Sequence, residues 1–187
     1  MTDMSWEELA RLDGAVVRRY GRFLIMDLLA PHQTISTSVR NGGEAVHLRH
    51  LVNHQSCEGA GHEARAHAMT GGSIEPYHDA VCAEAGINGD ETALMGTAAN
   101  MHYAAVVTAV DHEVAVTAVV TAGVQTNAIC AGDPAGWRET RDGVTAVPAI
   151  AGTINTLLHV NVPVTRPALA RAVVTMTEGK SAALQRL

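Results

Sequence analysis

Residues Met101 to Val124 read MHYAAVVTAVDHEVAVTAVVTAGV, the longest apolar stretch of the chain. Its length invites a membrane helix, but Asp111-His112-Glu113 splits it in the middle. Three polar side chains at bilayer depth would be costly. Both halves are rich in Val, Thr and Ala, and β-branched side chains favour extended backbone. The reading is two buried strands, Met101–Val110 and Val114–Thr121, closed into a hairpin by the short polar connection. A domain without a membrane span, located in the cytoplasm, is the expectation.

Downstream, Gly132-Asp133-Pro134-Ala135-Gly136 opens a surface loop expected to reach about Val144. A third core strand is expected over Thr153–Val162. The last element is a helix: Thr165 is its N-cap and Pro167 lies in its first turn. Leu169, Ala172, Val173, Met176, Ala183, Leu184 and Leu187, spaced by threes and fours, predict a buried stripe. Upstream, Arg22–Leu29 and His32–Val39 read as strands, ended by Asn41-Gly42-Gly43. Glu44–His54 fits neither period. Gly61–Met69 and Glu75–Ala85 suit short helices, the second ended by Gly86 and Gly89. The expected fold class is α/β (α+β): a single-domain sandwich of a mixed or largely antiparallel sheet with helices, ending in a long C-terminal helix. Residues 1–20 are expected to form an N-terminal extension to a domain over residues 21–187.

Hydrophobic residues make up 47% and charged residues 17%, enough apolar mass for a core and too little charge for a disordered chain. A net charge of −6 offers no basic face to a phosphate backbone, so no nucleic-acid partner is expected. Aromatics at 3% also leave no base-stacking platform. Cys57, Cys82 and Cys130 are odd in number and contain no CxxC pair, which points to a reducing compartment rather than a disulfide framework. The acidic start, Met1 to Glu8, has no apolar core of a signal peptide.

Four groups of residues draw attention as chemistry. Thr121-Ala122-Gly123 with Asn127, then Gly132-Asp133, begins where a strand ends; it reads either as a ligand-facing turn or as a plain strand terminator. Gly152-Thr153-Ile154-Asn155 opens a strand, and alternation puts Thr153 and Asn155 on one face. Lys180, the only lysine, falls on the apolar stripe near Glu178; it either snorkels, pairs with a carboxylate or meets a substrate. Six of the ten histidines lie between His47 and His78. His47, His50 and His54 would share one face of a helix, but the local pattern does not support a helix, so no closed metal site is expected from these or from His62, His67 and His78. No GxSxG elbow, P-loop or GxGxxG is present.

The order of these signals resembles the adenosylcobinamide amidohydrolase family, CbiZ. The resemblance rests on Thr121-Ala122-Gly123, Asn127, Gly132-Asp133, Gly152-Thr153-Ile154-Asn155 and Thr177-Glu178-Gly179-Lys180-Ser181-Ala182-Ala183-Leu184. Gly42-Gly43, Val52-Asn53-His54 and Met95-Gly96-Thr97-Ala98 support it upstream. It covers about residues 20–187. Two departures stand out. Many members have Ala at Gly179, and the family's usual Gly/Thr-rich segment beyond the terminal helix is not among these residues. The resemblance implies hydrolysis of the amide joining aminopropanol to the corrinoid side chain of adenosylcobinamide. The products are adenosylcobyric acid and 1-amino-2-propanol, as in cobalamin salvage. Cobalt then enters only within the corrinoid substrate, no further cofactor is implied, and a homo-oligomer is compatible with it. For such a reaction Lys180, Glu178, Asp133 and Asn127 are the catalytic candidates by residue type. Gly42, Gly43, Asn53, His54, Thr97, Thr121, Gly123, Gly152, Thr153 and Asn155 are the substrate-binding ones. The turns at Gly123–Asp133 and Gly152–Asn155 should then share one end of neighbouring strands and face a wide cleft. A catalytically silent corrinoid binder on the same fold, or a histidine-liganded metallohydrolase, are the alternatives.

Overall fold

The structure is a computed structural model and describes residues 5–56, 74–123, 137–140, 143–146 and 153–186. Along the chain run β1 (Glu7–Leu12), β2 (Ala15–Tyr20), β3 (Phe23–Leu28), β4 (Thr34–Ser36), β5 (Gly43–Ala45) and β6 (His50–Gln55). Then come α1 (Ile74–Ala85), β7 (Thr92–Thr97), β8 (Ala105–Asp111), β9 (Val114–Ala122), β10 (Trp137–Thr140), β11 (Gly143–Ala146), β12 (Ile154–Val160) and α2 (Arg166–Leu184).

The larger sheet has the order β1-β2-β3-β6-β7. Its first four strands are antiparallel, and β7 runs parallel to β6. A parallel neighbour needs a long crossover, and α1 lies on it. A second, antiparallel sheet has the order β12-β9-β8. β4–β5 and β10–β11 are separate two-stranded pairs.

β3 explains how the layers stack. As a central strand covered on both sides it is apolar except for Asp27, where a half-exposed strand would alternate. Leu24, Met26 and Leu28 join Val119 of β9 and Leu157 of β12 in one core between the two sheets. Phe23 and Ile25 point the other way and pack with Val52 and with Tyr77, Val81 and Ala85 of α1. These α1 residues recur every four positions, so one helix face meets the sheet. The α+β sandwich with a mixed sheet and a long last helix is the fold expected from the sequence.

Several local expectations change. The segment before residue 21 supplies β1 and β2 of the larger sheet, so no sheet boundary lies there. Asp13-Gly14 is its turn signal: Leu12 faces Ala15, and Gly14 adopts φ +72°, as a tight hairpin requires. The His32–Val39 strand shortens to β4, and Glu44–His54 resolves into β5, a loop and β6. β7 was not anticipated. Met101–Tyr103 forms a 3-10 turn, and β8 is mostly exposed rather than buried. The expected loop before Val144 contains the β10–β11 pair. The Gly61–Met69 helix lies outside the described residues.

α2 starts as expected, with the Thr165 hydroxyl accepting from the Ala168 N–H. Arg166 also bonds Glu44 at 2.6 Å, tying the helix start to β5. Its apolar stripe, however, is not buried: no described residue of α2 falls in the core. Helical spacing determines which side chains share a face; it does not determine how closely a neighbouring layer approaches. Between α2 and the outer face of β9 and β12 lies an apolar cleft of about 740 Å³, lined by Val116, Val120, Leu158, Met176 and Lys180 among others.

Candidate functional site

The β9 and β12 ends meet as expected. Ile154 faces Ala122, and the Gly123 N–H donates to the Thr153 carbonyl at 2.9 Å. Thr121 and Asn155 are cross-strand partners pointing inward, toward the larger sheet. Asn53 of β6 comes from that sheet to meet them.

The four side chains form a directed chain of hydrogen bonds. The Thr153 hydroxyl donates to Asn155 Oδ1 at 3.2 Å. Asn155 Nδ2 donates to Asn53 Oδ1 at 2.8 Å and to the Gly96 carbonyl at 3.2 Å. Asn53 Nδ2 donates to Thr121 Oγ1 at 2.7 Å. Asn53, Thr121 and Asn155 are all buried. A buried amide left unpaired costs about 1–3 kcal/mol, while each bond made contributes only about 1 kcal/mol net. The network therefore joins β6, β7, β9 and β12 chiefly by penalising any arrangement that breaks it.

Beside it, over the edge of β7, lies a cavity of about 230 Å³ lined by Thr37, Ser38, Val39, Arg40, Tyr77, His78, Leu94, Met95, Gly96 and Asn155. The β4–β5 loop forms one wall. The Ser38 hydroxyl accepts from the Leu94 N–H at 3.0 Å, satisfying the open edge of β7, and donates to the Arg40 carbonyl. Arg40 pairs with Asp79 at 2.6 Å and with Asp90. Asn41 Nδ2 donates to the carbonyls of Gly89 and Thr92. A Cβ on Gly42 would stand 1.9 Å from the Ser38 carbonyl oxygen, so only glycine closes this loop. Gly43, at φ +77°, opens β5.

His54 follows Asn53 on the strand and so faces the other side, against α1. It is fully buried, and its Nδ1 shares a 2.8 Å hydrogen bond with the Tyr77 hydroxyl. Tyr77 also lines the cavity, so the His54–Tyr77 pair reaches its wall from behind. Sequence reasoning assigned Tyr77 no role. The available signal was a hydroxyl on the buried Tyr77, Val81, Ala85 stripe, since such a hydroxyl requires a partner. Nearby, His78 Nε2 faces the Thr92 carbonyl at 3.2 Å, and burial pushes the Cys82 thiol pKa up.

Of the expected site residues, Asn53, Thr121, Gly123, Thr153 and Asn155 come together. Thr97 ends β7 and holds a turn, its hydroxyl accepting from the Ala99 N–H. Lys180 and Glu178 do not join them. Both are exposed on α2, beyond the opposite face of the β12-β9-β8 sheet, and Lys180 makes no ion pair among the described residues. Lys180 does not pair with Glu178, its exposed neighbour on the same helix; Asp133, the other partner expected of it, lies outside the described residues. The cleft expected between the Gly123–Asp133 and Gly152–Asn155 turns falls mostly outside the described residues. Asn127, Asp133 and Gly152 lie outside the described residues.

His47, His50 and His54 share no helix face, and His62 and His67 lie outside the described residues. His47 lies in a loop, and His50 and His54 are on a strand. His50 Nδ1 bonds Asp27 at 2.7 Å, and Arg18 pairs with the same carboxylate. Burial would raise the Asp27 pKa, but the His50 and Arg18 hydrogen bonds outweigh it and hold the carboxyl below its usual range. Among the described residues no three His, Cys, Asp or Glu side chains converge. No helix among them is long and apolar enough to cross a membrane.

Fold and network together define a mixed-sheet α+β domain with a neutral, amide-rich site at its strand ends. The chain belongs to the CbiZ family: the sequence model described as adenosylcobinamide amidohydrolase matches residues 9–187. It is also 37% identical over 123 residues to an uncharacterized protein of Methanocaldococcus jannaschii, covering 62% of this chain and 48% of that protein. The chain thus spans about half the length of the curated relative it matches. No solved structure matches it.

Proposed function

We propose that the chain hydrolyses the amide between aminopropanol and the corrinoid side chain of adenosylcobinamide, releasing adenosylcobyric acid and 1-amino-2-propanol. The family match over residues 9–187 carries this reading. The chemistry requires a group to hold the amide carbonyl, a route for protons, and protonation of a poor amine leaving group. Asn155, on the cavity wall and anchored from three sides, is suited to orient the amide. The Tyr77–His54 pair is the proton-transfer candidate: it joins a hydroxyl at the cavity to an imidazole behind it. At about 230 Å³ the cavity is below the roughly 300–1,000 Å³ of sites that enclose drug-sized ligands. It suits the amide and its aminopropanol arm, with the broad corrin ring resting outside. Cobalt belongs to the substrate in this reading.

Mass spectrometry of 1-amino-2-propanol released from adenosylcobinamide tests the proposal. Release that falls sharply in Tyr77→Phe and Asn155→Ala, with the fold retained, is the expected result. Corrinoid binding with no release would instead establish a silent binder.

A further inference from the structure

The cavity beside the network carries six polar side chains on its wall: Thr37, Ser38, Arg40, Tyr77, His78 and Asn155. All but the first are engaged. The Ser38 hydroxyl accepts from the Leu94 N–H and donates to the Arg40 carbonyl. The Arg40 guanidinium is held between Asp79 and Asp90. Tyr77 shares its hydroxyl with His54. His78 Nε2 donates to the Thr92 carbonyl, and its Nδ1 faces Cys82 Sγ at 3.8 Å. Asn155 has committed both amide hydrogens, to Asn53 and to the Gly96 carbonyl. Its Oδ1 accepts from Thr153 and keeps a second lone pair, which can accept from an amide N–H of a ligand. Of the six, Thr37 alone makes no hydrogen bond among the described residues.

Thr37 is nonetheless fixed from both sides. The Ser36 hydroxyl accepts from the Ser38 N–H at 3.0 Å and so braces the backbone across Thr37. Ser38 is tied to β7, Arg40 to Asp79 of α1 and to Asp90, and Asn41 to the carbonyls of Gly89 and Thr92. Branching at Cβ leaves the side chain few rotamers. The hydroxyl is thus held at the cavity by a braced backbone, with its donor and its acceptor capacity left for water or a ligand.

We infer that Thr37 determines specificity: its hydroxyl pairs with the hydroxyl of the substrate's aminopropanol arm. The inference rests on the reaction proposed above. In that arm the hydroxyl stands on the second carbon from the amide nitrogen. A substrate whose amide N–H meets Asn155 Oδ1 therefore carries its hydroxyl into the same cavity, which Thr37 also lines. Each hydroxyl is both donor and acceptor, so the pair can form in either sense. Val39, Leu94 and Met95 give the arm's methyl group an apolar part of the wall. Thr37 takes no part in breaking the amide; it selects amides that bear a hydroxyl over those that do not.

The test compares adenosylcobinamide with the analogue in which n-propylamine replaces aminopropanol. The wild-type chain should favour adenosylcobinamide in kcat/KM by about two- to twelvefold, the range that one neutral hydrogen bond supplies. Thr37 is exposed, so Thr37→Val should fold. It removes the hydroxyl at nearly constant shape and should erase the preference, slowing adenosylcobinamide and leaving the analogue as it was. Thr37→Ser should keep the preference. Equal wild-type rates on the two substrates overturn the inference, and so does a preference that survives Thr37→Val. A variant that loses rate on both substrates alike has a structural role only, which also overturns it. Titration calorimetry with the same two corrinoids separates this inference from the reaction. If neither corrinoid is hydrolysed the reaction falls, and the affinity ratio in wild type against Thr37→Val decides Thr37 by the same criteria. A chain that binds neither corrinoid overturns both.

Discussion

Asn155 ties its own strand to two others through one amide: it accepts from Thr153 and donates to Asn53 and the Gly96 carbonyl. Asn155→Ala leaves Asn53 Oδ1 without its donor inside the inter-sheet space. A loss of about 1–3 kcal/mol of stability is expected, read from urea denaturation. Asn155→Asp should be no rescue, because it cannot donate to both carbonyl oxygens while ionised. Gly42 poses a purely steric constraint. Gly42→Ala puts a methyl group 1.9 Å from a backbone oxygen, so the β4–β5 loop must move. The melting temperature should fall, and protection of the Leu94 amide, held by Ser38, should fall with it. Exchange rates at Leu94 no different from wild type would show that the loop absorbs the methyl without releasing Ser38.

Among the elements, β6 and α2 separate what was legible from what was not. The N-cap and length of α2 follow from Thr165, Pro167 and the spacing of its apolar residues. Its stand-off from β9 and β12 does not, because periodicity carries no information on the distance to the next layer. Lys180 illustrates the consequence. On a buried helix it would need a partner, but on this exposed face it needs none. Lys180→Met is expected to leave both the melting temperature and hydrolysis unchanged, and a collapse of turnover in a folded variant would move the site to α2. In β6 the alternation of a strand sends neighbouring Asn53 and His54 to opposite faces. They looked like one motif in the sequence and became two walls: one binding the sheets together, the other backing the cavity through Tyr77.

At the scale of the whole molecule, the layers are also joined by the buried His159 of β12, whose ring packs 5.5 Å from that of His32. Burial, and the neighbouring His32, lower the His159 pKa from its ordinary 6.5. The contribution of the buried neutral imidazole is complete above pH 6.5 and is lost as pH falls through the lower folded value, where the unfolded chain takes up a proton first. Asp27 behaves alike in a lower window: its contribution is present above the ordinary 3.8 and is lost as pH falls through its depressed folded value. Urea midpoints should therefore decline in two stages on acidification. His159→Phe should flatten the first and Asp27→Asn the second; a single decline untouched by either would refute both assignments. The sequence by itself determined the class of fold, the β8–β9 hairpin, the capped last helix and the family, because these depend on local turn chemistry, periodicity and the order of short motifs. It missed β1 and β2, where the charged pairs Glu7-Glu8 and Arg18-Arg19 masked an Asp-Gly hairpin. Only the tertiary structure decided that Asn53, Thr121, Thr153 and Asn155 form one network without Lys180. Their meeting depends on strand register and on which face each strand presents to the other sheet, and one-residue shifts in either would have scattered them.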